Sequence, residues 1–319
     1  MKIGLDMLGG DFAPLEAVKG VLRYLNAGGS GDRLVLLGDE TVIADLLRTH
    51  GIPTNELTIV HAPEAIDMHE HPTKALKEKR SSSIAVGFGL LAAGRIDAII
   101  SAGNTGAMLV GAMFSIKPLP GILRPTIGAY MPRENGSLGF LLDAGINADC
   151  KPEHLVQFAT LGTLFVKHIL GIEDPRVGLL NIGEEEGKGN ILAQAAYPLL
   201  KECPGIRFIG NIEGRDILMD KADVMVCEGF TGNVVLKLAE SVYDIVKRRN
   251  IRDEYFDTFN YETYGGVPVL GVEKPVIIGH GISGAEAFHN MILMAERMID
   301  NDLPGLIREA FAPANTPGA

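Results

Sequence analysis

Ile96-Asp97-Ala98-Ile99-Ile100 runs directly into Ser101-Ala102-Gly103-Asn104-Thr105-Gly106-Ala107, and this junction decides the fold. The isoleucine-rich run is a short buried strand, and the apolar stretch from Thr105 onward is helical. Gly103 and Gly106 let the backbone bend tightly and leave room for a ligand against bare amides. The helix start adds N–H groups without intrahelical partners and a positive dipole end, which suits a phosphate or a carboxylate. Asn104 adds a neutral donor. Strand, glycine-rich turn and helix in this order point to an α/β enzyme that handles an anion.

The same unit recurs along the chain. Strands are predicted over residues 2–6, 34–37, 57–61, 97–101, 126–131, 138–143, 177–182, 207–210, 224–227 and 275–278. Helices are predicted between many of them, over 14–25, 40–50, 153–170, 190–202 and 284–299. Such alternation implies a doubly wound, mostly parallel sheet with helices on both faces. Pro132-Arg133-Glu134-Asn135-Gly136 between two of the strands is a hairpin signal, so the sheet is mixed. Neither a repeat nor a low-complexity linker interrupts the pattern. Glu173-Asp174-Pro175-Arg176 is the best boundary candidate, but it also reads as an ordinary helix-to-strand connection. The expectation is one α/β domain over 1–305, with 306–319 a partly disordered tail.

Composition narrows the function. The chain has 319 residues, 46% hydrophobic and 22% charged, ample for a large core. A net charge of −11 argues against broad attraction to nucleic acid. Cys150, Cys203 and Cys227 are odd in number and lack Cys-x-x-Cys spacing, which suggests neither a disulfide framework nor a zinc knuckle. Asp6 breaks any signal-peptide apolar region, and the uncharged apolar stretches 84–94 and 106–116 are too short to span a bilayer. A soluble, cytoplasmic protein is expected.

In an open parallel sheet, the loops after the strand C-termini gather on one edge and ligands bind there. Five loops have that position: Gly9-Gly10-Asp11, residues 101–107, residues 183–189, residues 228–233 and residues 279–284. Each alone is ordinary turn chemistry; together they mark a candidate site. Familiar fingerprints fail. Met7-Leu8-Gly9-Gly10-Asp11 lacks the dinucleotide pattern, and Gly183-Glu184-Glu185-Glu186-Gly187-Lys188-Gly189 is one residue short of a P-loop. Its Gly189 stands where Ser or Thr should bind magnesium, and its glutamates would repel a triphosphate. Neither NAD nor ATP is supported, and Gly281-Ile282-Ser283-Gly284-Ala285 is not a nucleophile elbow. Asp67-Met68-His69-Glu70-His71 reads as a solvated loop rather than a metal cluster.

Lys188 is a lone cation between two glycines at an expected helix start, either an anion ligand or a solvated loop lysine. Asn104 and Asn233 serve as donors or as turn and cap residues. His280, between an apolar strand and Gly281, is a donor or base, or else a satisfied buried histidine. The basic clusters at 74–80 and at Lys247-Arg248-Arg249 with Arg252 are solvated helix faces or a docking surface for an acidic partner. The expected helix from Val234 to Arg249 suits core packing, an interface or a membrane surface.

These residues together resemble the bacterial phosphate acyltransferase family of phospholipid synthesis. The resemblance runs from Lys2 to about Ile299. It rests on Asp6-Met7-Leu8-Gly9-Gly10-Asp11, residues 101–107, Leu180-Asn181-Ile182 with residues 183–189, Gly210-Asn211-Ile212-Glu213-Gly214, Gly229-Phe230-Thr231-Gly232-Asn233 and Tyr264-Gly265-Gly266. It implies a fold related to phosphotransacetylase and isocitrate-dehydrogenase-like folds, a homodimer and no required metal or other cofactor. It also implies formation of acyl phosphate from acyl-(acyl carrier protein) and inorganic phosphate, for a membrane glycerol-3-phosphate acyltransferase downstream. There are two departures. The family's longer apolar and basic insertion, associated with peripheral membrane contact, is shortened here to a segment within 250–263. The family's His-Gly-Ser-Ser reads His280-Gly281-Ile282-Ser283, which weakens any role for the first serine position.

In such a reaction phosphate itself is the nucleophile, so no Ser, Cys or His nucleophile is demanded. The amides of residues 103–107 and Lys188 are expected to hold phosphate, with Asn104 or Asn233 donating to the thioester oxygen. Asp6, Gly9, Gly10, Ser101, Gly103, Thr105, Gly106, Gly187, Gly229, Thr231 and Gly232 are the expected binding-loop residues, and His280 completes the catalytic set. A coenzyme A-dependent phosphotransacetylase and a noncatalytic scaffold of lipid enzymes are the alternatives. A metal-dependent decarboxylating dehydrogenase would need clustered acidic ligands and a nucleotide site.

Overall fold

Runs rich in Ile, Val and Leu, bounded by glycine, proline and capping residues, form the strands; amphipathic stretches between them form the helices. The computed structural model describes residues 1–312. In chain order the elements begin β1 (Ile3–Asp6), α1 (Leu15–Asn26), β2 (Leu34–Gly38), α2 (Glu40–Thr49), β3 (Thr58–His61), α3 (Pro72–Glu78), α4 (Ser83–Ala92), β4 (Ala98–Ser101) and α5 (Thr105–Gly111). A π-helical stretch, Ala112–Ile116, continues α5. Then come β5 (Thr126–Pro132), β6 (Leu138–Leu142), α6 (Pro152–Ile169), β7 (Arg176–Asn181), α7 (Ile191–Glu202), β8 (Arg207–Glu213), β9 (Val224–Val226) and α8 (Gly229–Arg248). The last elements are α9 (Glu254–Asp257), β10 (Gly266–Leu270), β11 (Val276–Gly279), α10 (Ala285–Asp300) and α11 (Leu303–Ala310). By internal contacts the chain divides into two compact units: Met1–Pro118 with Tyr261–Asp300, and Leu119–Asn260 with Asn301 onward.

The first unit orders its strands β3-β2-β1-β4-β11-β10, all parallel except β10, which pairs antiparallel with β11. Every residue of β1, β2 and β4 is buried, so these strands read as continuous apolar runs instead of alternating ones. From β1 the chain steps to β2 and β3 on one side, then returns to place β4 on the other. The strand order therefore reverses at β1/β4, and the loops leaving these two strands are neighbours. Helix α1 packs on α10 through Gly20, where a Cβ would collide with Phe288. Asp39 starts α2 by accepting hydrogen bonds from the amides of Thr41 and Val42.

The second unit orders its strands β5-β6-β9-β7-β8, with the predicted hairpin as the antiparallel β5/β6 pair and the rest parallel. Phe140 and Phe165 stack at 4.3 Å between ring centres in its core. Because β9 inserts between β6 and β7, the loops after β6 and β9 are brought together. At the opposite strand ends Arg133, only 1% exposed, pairs with Asp223 at 2.8 Å, and Arg176 Nε reaches the same carboxylate at 2.9 Å. The boundary candidate Glu173–Arg176 is here the plain connection from α6 to β7.

Some details differ from expectation. β10 lies outside the predicted strands; it carries Pro268, a residue that disfavours a paired strand. β8 continues past Gly210, which takes φ +95° beside a register shift. α11 runs to Ala310, into the stretch expected as a tail, and residues 313–319 lie outside the described residues.

Candidate active site

The β1 and β4 loops of the first unit are locked by a buried carboxylate. Asp6, 1% exposed, accepts from Ser101 Oγ at 2.6 Å and from the Leu8 amide at 2.9 Å. Ser101 Oγ in turn accepts from the Gly103 amide at 2.9 Å. Burial pushes the Asp6 carboxyl above its ordinary range, against the pull of hydrogen bonds from Ser101, Ser83 and the Leu8 and Gly9 amides. Gly9 lies on this lock: a Cβ would stand 2.5 Å from Asp6 Oδ2, 2.6 Å from the Gly103 nitrogen and 2.9 Å from Ser101 Oγ. Gly10 takes φ +100°, and the Asp11 amide then donates to Gly281 O at 2.7 Å. Asp6, Gly9, Gly10, Ser101, Gly103 and the His280-Gly281 loop are thus brought together.

Asn104 corrects an expectation. Its side chain, expected as a donor to substrate, is 4% exposed and already committed. Oδ1 accepts from the Ala107 amide at 2.9 Å, capping α5. Nδ2 donates to the carbonyls of Asp67 at 2.8 Å, Glu70 at 3.2 Å and Met68 at 3.3 Å. Asn104 is therefore the clip between the 67–70 loop and the start of α5. Asn104→Ala should lower stability by about 1–3 kcal/mol, the cost of orphaning buried polar groups, readable as a urea-unfolding shift. With the cap on Ala107, the first-turn amides left uncapped are those of Thr105 and Gly106. Pro72 packs against Gly106, leaving no room for a Cβ there.

His280 is exposed, which removes the buried-histidine alternative. Its ring centre lies 5.2 Å from that of Tyr261, and its Nδ1 accepts from the Ile282 amide at 3.4 Å.

In the second unit Lys188 is exposed, with Nζ 4.0 Å from Glu185. Asn190 caps α7 by accepting from Ala193 at 2.8 Å, so Lys188 precedes the helix start instead of occupying it. Its carbonyl accepts from Asn181 Nδ2 at 3.0 Å, which fixes the loop, and nothing crowds Gly187. The neighbouring glutamates are partly neutralised: Glu184 by Lys221 at 2.6 Å and Glu186 by Lys201 at 3.2 Å. Thr231, expected as a substrate ligand, spends its hydroxyl on Glu228 at 2.5 Å within the α8 cap. Gly229 and Gly232 serve close backbone approach, to Asn147 and to Asp143 O respectively. Asn233 is exposed and lies against Gly145.

A sixth loop escaped the sequence reading. Asp143, fully buried, accepts from the amides of Gly145 and Ile146, both at 3.1 Å. It also accepts from the amide and Nδ2 of Asn147, at 2.6 and 2.7 Å. The Gly229 amide donates to Asn147 O at 2.7 Å, which ties this loop to the start of α8. Asp143-Ala144-Gly145-Ile146-Asn147 after an apolar strand was the available signal, masked by its place at the end of a hairpin.

Comparison with known proteins gives a consistent set of likenesses. The family profile described as fatty acid synthesis protein matches residues 1–305. The chain is 41% identical to the phosphate acyltransferase of Dictyoglomus turgidum, with 98% of each chain covered. It is 43% identical to that of Chlorobaculum tepidum, covering 96% of this chain and 100% of the relative. Among solved structures, a phosphotransacetylase from Streptococcus pyogenes superposes with a TM-score of 0.66 at 19% identity, over 94% of both chains. That last likeness speaks to the α/β fold.

Proposed function

Since the chain belongs to the phosphate acyltransferase family of fatty acid synthesis proteins, we propose that it converts a long-chain acyl-(acyl carrier protein) and inorganic phosphate into acyl phosphate. The observation that carries this for the chain's own residues is the β1/β4 reversal, where Asp6, Ser101 and Gly9 lock two loops beside the Thr105 and Gly106 amides. A phosphate oxygen attacks the thioester carbon, forming a C–O bond and a tetrahedral oxyanion. Collapse breaks the C–S bond, and the carrier sulfur leaves with the proton that phosphate loses. Orientation and oxyanion stabilisation are the protein's tasks. Thr105 and Gly106 supply amides for the phosphate, and exposed His280 supplies a further donor. Asn104 supports this loop without touching substrate.

For the second unit, Lys188 and Asn233 are proposed as phosphate cation and thioester-oxygen donor on loop position alone, and mutation tests each independently. Lys188→Ala should reduce acyl-phosphate formation by about a hundredfold, the scale of losing one preorganised charge or donor. Its half-exposed side chain makes the unfolding transition indifferent to the change. A loss below threefold in folded protein would remove Lys188 from the reaction. Running wild type with acyl-(acyl carrier protein) and with acyl-coenzyme A separates this activity from that of a phosphotransacetylase. Absence of phosphate-dependent product with both would sink the proposal.

On this reading the product feeds glycerol-3-phosphate acylation in phospholipid synthesis, through a membrane acyltransferase partner. No helix among the described residues is long and apolar enough to cross a membrane. The shortened segment after α8 turns its aromatics on one another, with Tyr255 and Phe259 edge to face at 5.3 Å and Phe259 buried. Membrane contact would then rest on Ile251, 44% exposed, and the nearby cations. A homodimer has support in α8, where Phe230, Val234 and Leu238 recur every fourth residue at 66%, 54% and 66% exposure. Sedimentation equilibrium decides the assembly.

A further inference from the structure

A groove of about 570 Å³ lies among α3, α4, α5 and the π-helical stretch that follows α5. That volume is in the usual range of small-molecule clefts, roughly 300–1,000 Å³. Leu76, Ala85, Phe88, Val110 and Phe114 give it an apolar lining. Gly111 shapes the floor, because a Cβ there would collide with the Phe88 ring. The π-helical turn sets Phe114 at the rim, 73% exposed, an apolar ring with little to cover it. Lys77 and Arg80 are also part of the lining, and among the described residues neither forms an ion pair. Two such uncompensated cations, in a chain of net charge −11, suit an anionic visitor.

Two walls of the groove lead back toward the β4 loop. Val110 lies five residues into the helix that starts at Thr105, about 7.5 Å along its axis at ~1.5 Å per residue. The other wall, α3, begins at Pro72, which packs on Gly106. Both walls therefore start beside the amides assigned to phosphate.

We infer that this groove holds the acyl chain of the substrate, its thioester end toward Thr105 and Gly106 and its rim cations toward the acidic carrier. The inference rests on the acyl-transfer reading above. Ala85→Trp and Ser115→Trp each put an indole into the groove, the second from an exposed position where folding is safe. Two readouts test it: turnover with C16 and C4 acyl carriers, and fluorescence titration with cis-parinaric acid, an 18-carbon fatty acid. The C16-to-C4 turnover ratio should fall at least tenfold in both variants, and parinaric binding seen with wild type should weaken at least tenfold. An unchanged ratio, or equal losses for both chain lengths, in a variant that still unfolds cooperatively would overturn the assignment. If wild type turns over no acyl carrier, the acyl-transfer reading fails by itself, and the titration still decides the groove. Binding lost in both variants supports it; absence of binding to wild type, or binding kept in both variants, overturns it.

Discussion

Gly9→Ala is expected to cut acyl-phosphate formation at least a hundredfold while leaving a cooperatively folded protein. The new methyl would meet Asp6 Oδ2 at 2.5 Å, Gly103 N at 2.6 Å and Ser101 Oγ at 2.9 Å. None of the three is the loose end of a flexible side chain. Asp6 and Ser101 are buried and hydrogen-bonded to each other at 2.6 Å, and Gly103 is backbone held by Ser101 at 2.9 Å. Relief must come from moving one loop away from the other, at an overpacking cost of about 1–3 kcal/mol. The same movement carries the Thr105 and Gly106 amides with it, and a displacement of ~1 Å at a reacting centre is worth ~100-fold in rate. Gly89→Ala is the control: it lies on an exposed turn of α4 with open space around a Cβ, where alanine should be neutral or slightly stabilising. Steady-state product release and thermal unfolding, measured on both variants, separate the two effects. Activity of Gly9→Ala within threefold of wild type would mean that the locked loops do not position phosphate.

The β4-to-α5 junction was legible because everything that makes it is local: a buried apolar run, two glycines and a cap. The positions of five of the six loops were legible for the same reason. What each polar side chain does there was not. Asn104, Thr231 and Asn233 look alike in sequence, a polar residue beside glycine at a helix start. Capping distinguishes the first two, and the capping preference of Asn104 alone hints at it. Its bonds to Asp67, Met68 and Glu70 join residues 34 to 37 positions away, which no local pattern encodes. The partners of Arg133 were hidden in the same way, one of them 90 residues distant, whereas the Asp143 carboxylate bonds only to the nearby Gly145, Ile146 and Asn147 and was masked by its place at the end of a hairpin. β10 lies outside the predicted strands because it is fixed by antiparallel pairing with β11, which its short, proline-containing sequence does not signal.

Arg133→Ala should destabilise the protein by about 3–5 kcal/mol, the scale for breaking a buried ion pair by removing one partner. Arg133 Nη2 donates to Asp223 at 2.8 Å and Nη1 to Asp220 at 2.7 Å, with the side chain 1% exposed. Burial works to raise the Asp223 carboxyl, but hydrogen bonds from the Arg176 side chain and amide and from Arg133 bring it down to about 2. A carboxyl held below its unfolded value stabilises the fold above the ordinary carboxylate range, and this contribution fades as pH falls from about 4 through 2. Urea unfolding should therefore show wild-type stability dropping across that window, by on the order of 1–2 kcal/mol from this group. With Arg133 gone Asp223 protonates at higher pH, so the acid limb of the variant's stability curve shifts toward neutrality. Asp223→Asn should flatten that part of the curve, since there is no longer a carboxyl to titrate. The network sits at the strand ends opposite the β7 and β9 loops, so at neutral pH the folded variants should turn over substrate as wild type does. A destabilisation below 1 kcal/mol with an unmoved acid limb would mean that Arg176 alone holds Asp223, and the same titration on Arg176→Ala would then carry the whole shift.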